Sequence, residues 1–290
     1  MIDAHHHLWD LNAVNYPWLM EKGKRRFFGD PTPIQRNYLI DEHIKLANEL
    51  GFKGSVHIQV GAADGLEEAQ WINSVVNENQ SWPMVQVAFC DLSSDQRELH
   101  LDKLQKLSSV VGVRQIIGRS PAEDANSKTN ELLTSDNFMQ GLQSISDRGL
   151  TFDLQIIPEL LKTCASVFSQ FPNLHVILCH AGSPYNRTLE GIKSWAGDLI
   201  HLSNLSNVSC KLSGLGMFDH NWTGSTVAPI VTTVMDQFGS KRVMFGSNFP
   251  VDSLSSSFEQ LFTRISSNID EKDFEDVFSK TAQRIYFSNF

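Results

Sequence analysis

The chain opens Met-Ile-Asp-Ala and then runs three histidines, His5-His6-His7, into Leu8-Trp9. Imidazole is a frequent metal ligand and titrates near neutral pH, so the triplet raises the question of chemistry at once. A purification-tag remnant would be longer and would sit in a Gly/Ser-rich linker, whereas this run lies between apolar residues. Side chains alternate sides along a β-strand, which puts Asp3, His5 and His7 on one face and His6 on the other. His5 and His7 then stand about 6.5–7 Å apart at Cα, close enough to converge on one metal ion. A third histidine, His180, ends the apolar run 175–182 (HVILCHAG). Alone it would read as a core residue; beside a His-x-His pair it reads as part of a site. The run 242–251 (RVMFGSNFPV) offers Asn248 and, past Pro250, Asp252. Asp252 is either a site carboxylate or a loop acid or helix cap.

Other polar residues interrupt apolar runs. Arg114, in 112–115 (GVRQ), must find an anion or bury an unpaired charge at high cost. A substrate carboxylate or developing oxyanion would satisfy it, and so would a structural ion pair. Lys211, in 209–214 (SCKLSG), carries the same two readings. Ser55, His57 and Gln59 alternate with Val56, Ile58 and Val60, so this run has a polar face, expected toward a barrel interior or mouth. Gln59 would reach a substrate hydroxyl or carbonyl, while His57 belongs to an internal network. The chain has no Gly-x-Ser-x-Gly elbow, and the glycines of 213–216 (SGLG) lack the P-loop lysine and spacing. Covalent serine catalysis and nucleotide chemistry fall away.

Eight runs could position these groups: 2–9, 53–60, 84–92, 110–117, 150–156, 175–182, 207–215 and 242–251. Between them lie segments with apolar residues at helical spacing, such as 39–51, 98–107, 137–149 and 158–171, often closed by Gly. Eightfold strand-helix alternation is the pattern of one (β/α)8 TIM barrel over residues 1–290, whose active site lies at the C-terminal ends of the strands. The runner-up, an open doubly wound sheet, would show a Gly-rich phosphate turn after its first strand if it bound a nucleotide, and none follows. From Asp10 to about Tyr38 no periodicity is visible, yet Tyr16, Trp18, Phe27, Phe28 and Tyr38 fall there. So long a loop after strand 1 is a lid or pocket wall, with Trp18 against substrate, or an insertion packed on the rim. Its Lys22, Lys24, Arg25 and Arg26 form a solvated face or an anion clamp.

Composition sets the outer limits. The 290 residues are 41% hydrophobic, ample for a sizeable core, and the net charge of -9 speaks against a nucleic-acid surface. A small-molecule substrate is the expected partner. Cys90, Cys164, Cys179 and Cys210 are far apart and form no CxxC pair, so buried free thiols in a reducing compartment are expected. No run approaches the roughly 18 apolar residues of a membrane span. The expectation is a soluble cytoplasmic protein; oligomeric state is not encoded in any visible pattern.

Taken in order, DAHHHLWD, YPWL, FFGD, GVRQ, LTFDLQI, VILCHAG, CKLSG and RVMFGSNFPVD resemble the amidohydrolase-related family that includes sugar-lactone hydrolases and 2-pyrone-4,6-dicarboxylate lactonase. The resemblance spans nearly the whole chain. It implies a (β/α)8 barrel, hydrolysis of a cyclic ester, and His5, His7 and His180 at the family's ligand or substrate-polarising positions. Where metal-loaded members carry a bridging lysine or glutamate on strand 4 and a histidine on strand 5, this chain has VRQ (113–115) and FDLQ (152–155). That departure implies at most one divalent ion, zinc or manganese, or metal-independent chemistry. Strand 8 of the family commonly ends in an aspartate that activates water, whereas Asn248 stands here, and an amide is no base near neutral pH. The proton would then go to His180, Asp153 or Asp252. Arg114, Lys211, Gln59 and Trp18 would hold the substrate. A metal-assisted decarboxylase or amide hydrolase on the same barrel, or a ligand-binding relative without catalysis, are the alternatives.

Overall fold

The computed structural model describes residues 1–288. Eight parallel strands follow one another around a nearly closed barrel: β1 (Asp3–His6), β2 (Ser55–Ile58), β3 (Met84–Phe89), β4 (Val110–Ile116), β5 (Thr151–Gln155), β6 (Val176–Leu178), β7 (Val208–Leu212) and β8 (Val243–Phe245). Each falls within one of the eight expected runs, but the strands are shorter because the runs continue into the loops that carry polar residues. Backbone bonds from Asn248 N to His5 O and from His7 N to Phe249 O, both 2.7 Å, tie the end of β8 to β1. Gly246 permits that approach: a Cβ there would lie 2.5 Å from the Cβ of His5.

Helices α1 (Pro17–Met20), α2 (Ile40–Glu49), α3 (Gly65–Glu78), α4 (Arg97–Leu104), α5 (Pro121–Ser127), α6 (Asp136–Asp147), α7 (Leu161–Phe168), α8 (Leu189–Ser203), α9 (Gly224–Phe238), α10 (Phe258–Ser266), α11 (Glu271–Glu275) and α12 (Thr281–Tyr286) follow the strands. Several starts are set by side chains that satisfy free backbone N–H groups: Asp64 caps α3, and Ser257 with Gln260 forms a capping box on α10.

Two apolar layers hold the barrel. The larger lies between strands and helices. The smaller fills the barrel itself, where Ala4, Val56, Ile58, Val87, Ile177 and Met244 pack with Ala282, Ile285 and Tyr286 of α12. Each buried Val, Ile or Met among these contributes roughly 1.5–3 kcal/mol. The chain reaches β1 from beside α12, Ile2 N donating to Phe278 O at 2.7 Å, so α12 plugs the end where β1 starts and leaves the opposite mouth to the site.

Two expected orientations are corrected here. The β1–β2 register slips between Asp3 and His6, a bulge that breaks strict alternation. Asp3 therefore shares the outer side with His6: the ring of His43 on α2 stacks on His6 at 3.9 Å, and its Nε2 lies 3.6 Å from Asp3 Oδ2. The polar face of β2 likewise turns outward, because the helix layer carries its partners. Ser55 Oγ accepts from Trp82 Nε1 at 2.9 Å, and His57 Nε2 lies 3.7 Å from Glu68 of α3.

The segment after β1 is folded over the mouth. Trp9 and Tyr38 pair through backbone bonds at its base, and Tyr16 is buried beneath it. Both readings of this loop hold, in different residues. Trp9, Tyr16 and Tyr38 join the core, while Trp18, Phe27 and Phe28 wall a cavity.

Candidate active site

The mouth gathers three histidines from two strands. His5 has its ring centroid 5.1 Å from that of His7 and 4.6 Å from that of His180. Both its nitrogens are buried without a hydrogen-bond partner. His7 Nδ1 lies 2.7 Å from the carbonyl of Ile58, which only accepts, so Nδ1 carries the hydrogen and Nε2 keeps its lone pair. His180 Nδ1 is held 2.9 Å from Ser213 Oγ. Burial lowers the pKa of all three: that of His7 to about 3, with Arg114 adding to it, and those of His5 and His180 well below the usual value, with neighbouring cations pushing the same way. All three are neutral imidazoles at physiological pH.

Backbone shape sets these positions. β6 gives way to a left-handed turn in which His180, Ala181, Gly182 and Ser183 have φ of 55°, 52°, 69° and 54°. Non-glycine residues rarely adopt this region, and such strain recurs at functional sites. Trp195 Nε1 donates to Ala181 O at 2.8 Å and helps hold the turn. Gly214 makes room for it, since a Cβ there would meet His180 Nδ1 at 2.4 Å. Asn248 is also left-handed, φ 55°. Its Oδ1 faces His7 Nε2 at 3.2 Å, and its Nδ2 donates to Asp252 Oδ1 at 3.0 Å. Burial pushes the Asp252 carboxyl up to about 7, against the pull of the Asn248 amide, the Gly216 N–H and the Arg187 guanidinium.

A cavity of about 270 Å³ opens on this group, lined by His7, His180, Asn248, Arg114, Gln155, Arg119, Arg26 and the aromatic wall of Trp18, Phe27 and Phe28, with Met217 and Val251. Trp18 is fixed by Nε1 donating to Val60 O at 2.7 Å. His220, whose Nε2 donates to Phe28 O at 2.7 Å, ties the loop after β7 to the loop after β1. Arg114, only 5% exposed, donates to the Gln155 side chain and to Gln59 O at 3.4 Å, and its Nε has no partner. A guanidinium with neutral partners alone, facing a cavity, is disposed to take an anion.

The remaining expected residues lie elsewhere. Lys211 Nζ is 2.5 Å from Asp153 Oδ2 with both side chains fully buried, so of its two readings the ion pair is the one observed. Tyr286 of α12 donates to the same carboxylate at 2.8 Å, and neither Asp153 nor Lys211 lines the cavity. The Gln59 side chain accepts from Gly61 N at 2.9 Å and does not line the cavity either. Of the basic cluster, Arg26 reaches the cavity and pairs with Glu123 at 3.0 Å, while Lys24 pairs with Glu21 at 3.1 Å. Gln155 and Arg119 were not foreseen. Gln155 was readable: it stands two residues beyond Asp153, at the C-terminal end of the same strand. The four cysteines are buried free thiols, as expected.

The amidohydrolase family model matches residues 2–287. The chain belongs to the amidohydrolase family. It is 30% identical to uncharacterized protein y4mH of Sinorhizobium fredii, over 99% of this chain and 98% of that one. It is 22% identical to an L-fucono-1,5-lactonase of Burkholderia multivorans, over 98% and 95% of the two chains. The fold matches a crystal structure of an amidohydrolase from Burkholderia multivorans with bound zinc, TM-score 0.83 at 21% identity over 99% and 98%.

Whether this amidohydrolase suits a metal ion can be judged from its own donors. His5, Asp153 and Cys179 bring ligand atoms within 4.8 Å of one another. That trio fits poorly, because Lys211 and Tyr286 already neutralise the Asp153 carboxylate and burial pushes the Cys179 thiol up to about 12. The layer above fits better. His5 offers bare nitrogens, and His7 is fixed through Nδ1 on a carbonyl with Nε2 left over, the usual arrangement of a ligating histidine. Nitrogen and amide oxygen donors suit zinc or manganese. No helix among the described residues is long and apolar enough to cross a membrane.

Proposed function

We propose that this amidohydrolase opens a small sugar or dicarboxylate lactone by direct attack of water. One observation carries the reading: the buried Arg114, paired only with neutral groups, faces the same aromatic-walled cavity as neutral His7 and His180. No serine, threonine or cysteine is among the described residues lining that cavity, which favours water over a side-chain nucleophile. The lactonase name of the Burkholderia relative points to the same substrate class.

In this reading His5 and His7 would hold one divalent ion, which when bound supplies Lewis acidity toward the ester carbonyl. His180, steadied through Nδ1 by Ser213, takes the proton from water at Nε2 as the water oxygen bonds to the carbonyl carbon. Collapse of the tetrahedral adduct breaks the ring C–O bond, and the departing alkoxide recovers that proton to give a hydroxy acid. Arg114 binds the substrate's anionic group, Arg119 extends the positive wall toward the rim, and Trp18, Phe27 and Phe28 exclude bulk water. Asp153 and Lys211 act from beneath as a fixed ion pair.

Ring opening of a panel of sugar and dicarboxylate lactones, followed by proton release in water enriched in oxygen-18, tests the proposal. Turnover with one heavy oxygen in the new carboxylate is expected. Release of carbon dioxide, or no turnover by folded protein with and without added zinc or manganese, would remove it.

A further inference from the structure

We infer that substrate enters the cavity through the seam between the two loops that roof it, and that His220 is the latch on that seam. The inference rests on the reading of this cavity as the place where substrate binds.

The roof has two halves. One is the tip of the segment after β1, where Arg26 N donates to Gly29 O at 2.8 Å and Gly29 N to Arg26 O at 2.9 Å, a tight turn that carries Phe27 and Phe28. The other is the loop after β7, which carries Met217, Phe218 and His220; Phe27, Phe28 and Met217 line the cavity. Each half is fixed on the side away from the other. Arg26 meets Glu123 of α5 through two bonds of 3.0 and 3.1 Å, and Phe27 N donates to the same carboxylate at 3.3 Å. The β7 loop is held by Arg187, which donates to Leu215 O at 2.9 Å, and by Trp222 Nε1, which donates to Ser255 Oγ at 3.3 Å.

Where the halves meet, the ties are neutral. Among the described residues one hydrogen bond crosses the seam, from His220 Nε2 to Phe28 O at 2.7 Å, beside the ring of Phe27 stacked on that of Phe218 with centroids 5.4 Å apart. Charge-assisted bonds are roughly twice as strong as neutral ones, so the seam parts before the Glu123 anchor does. His220 is also exposed, and water competes for its bond. Gly29 is shaped to receive the latch: with φ +113°, it has no side chain where a Cβ would stand 2.8 Å from His220 Cε1, so the imidazole lies against bare backbone. Parting the seam carries Phe27 and Phe28 away from Met217 and uncovers His7 and His180. Trp18 stays behind, tied to the barrel through Val60 O at 2.7 Å.

Two measurements on His220→Phe, which keeps a flat ring beside Gly29 but loses the donor, test the inference. Hydrogen exchange followed by mass spectrometry reads opening of the seam, and labelling of His180 by diethyl pyrocarbonate at single-hit doses reads entry to the cavity. Exchange in 26–29 and 214–220 should quicken by about 3–10-fold, the worth of one neutral hydrogen bond, while α5 exchanges as in the wild type. Labelling of His180 should quicken by the same factor. His220→Gln, which keeps an N–H donor, should bring both rates back toward wild type. Unchanged exchange at the seam, or a rise that extends to α5, overturns the latch. Faster exchange with unchanged labelling of His180 overturns the seam as the entrance. Neither readout needs a lactone, so failure of the ring-opening proposal is seen separately.

Discussion

Two groups of three histidines lie back to back across β1, and they differ in what they face. His5, His7 and His180 meet at the barrel mouth; His6, His43 and His57 lie under α2 and α3. Burial lowers the pKa of every one of them, so burial and perturbation do not by themselves mark the site. What separates the groups is company. The outer group is sealed in by packing, with His6 stacked on His43 and with Asp3 and Glu68 as neighbours, and His57 Nδ1 accepts from Leu8 N at 3.1 Å. Of the inner group, His7 and His180 line a cavity beside Arg114, and His180 sits on a strained left-handed turn. Access to the cavity distinguishes a reactive cluster from a structural one, since Arg114 also acts on His57.

Substitutions can break that contrast. His180→Gln should lower turnover by about 10²–10⁴-fold, the usual worth of a general base, with little change in melting temperature; a variant that unfolds while its folded fraction keeps full rate would place His180 in the structural class. Gly214→Ala pushes a methyl group toward His180 Nδ1 from a position with φ +60°. Since a misplacement of about 1 Å costs up to ~10²-fold, its rate should fall further than the modest stability loss explains, as parallel kinetics and melts would show. Arg114→Met should raise KM for carboxylate-bearing lactones by about 10–100-fold, the equivalent of one charge-assisted bond at ~1.5–3 kcal/mol, and leave KM for uncharged lactones nearly alone.

The outer group predicts a pH effect on stability. Burial raises the Glu68 pKa from 4.5 to about 8. Between those values the native state holds a proton that the unfolded chain has released, so wild-type stability declines as pH rises through this window, by up to about 1.4 kcal/mol per pH unit for this group. Glu68→Gln removes the term, and its stability relative to wild type should grow from pH 5 to pH 8 in urea melts. A difference independent of pH would show that Glu68 is ionised in the fold.

Much of this contrast was legible in the sequence, and the parts that were not have physical reasons. Short apolar or alternating runs reveal strands because a barrel strand is covered on both sides, and all eight were visible. The His5-x-His7 pair and His180 stood out as polar groups at the ends of such runs. Asp3 was assigned to the wrong side because a bulge in β1 leaves no trace in composition. The polar face of β2 was misread because its partners, Trp82 and Glu68, sit in other elements. Lys211 stayed ambiguous for the same reason: Asp153 was in view, but the fixing contact with Tyr286 comes from 133 residues further along the chain. Arg119 belongs to a loop, where no periodicity signals direction.

The most direct test compares one residue from each group in a single assay. Proton release from an opening lactone should collapse in folded His180→Gln and persist, per folded molecule, in His43→Asn. Equal loss in both, or no release by the wild type, would contradict the assignment of the inner histidines to hydrolysis.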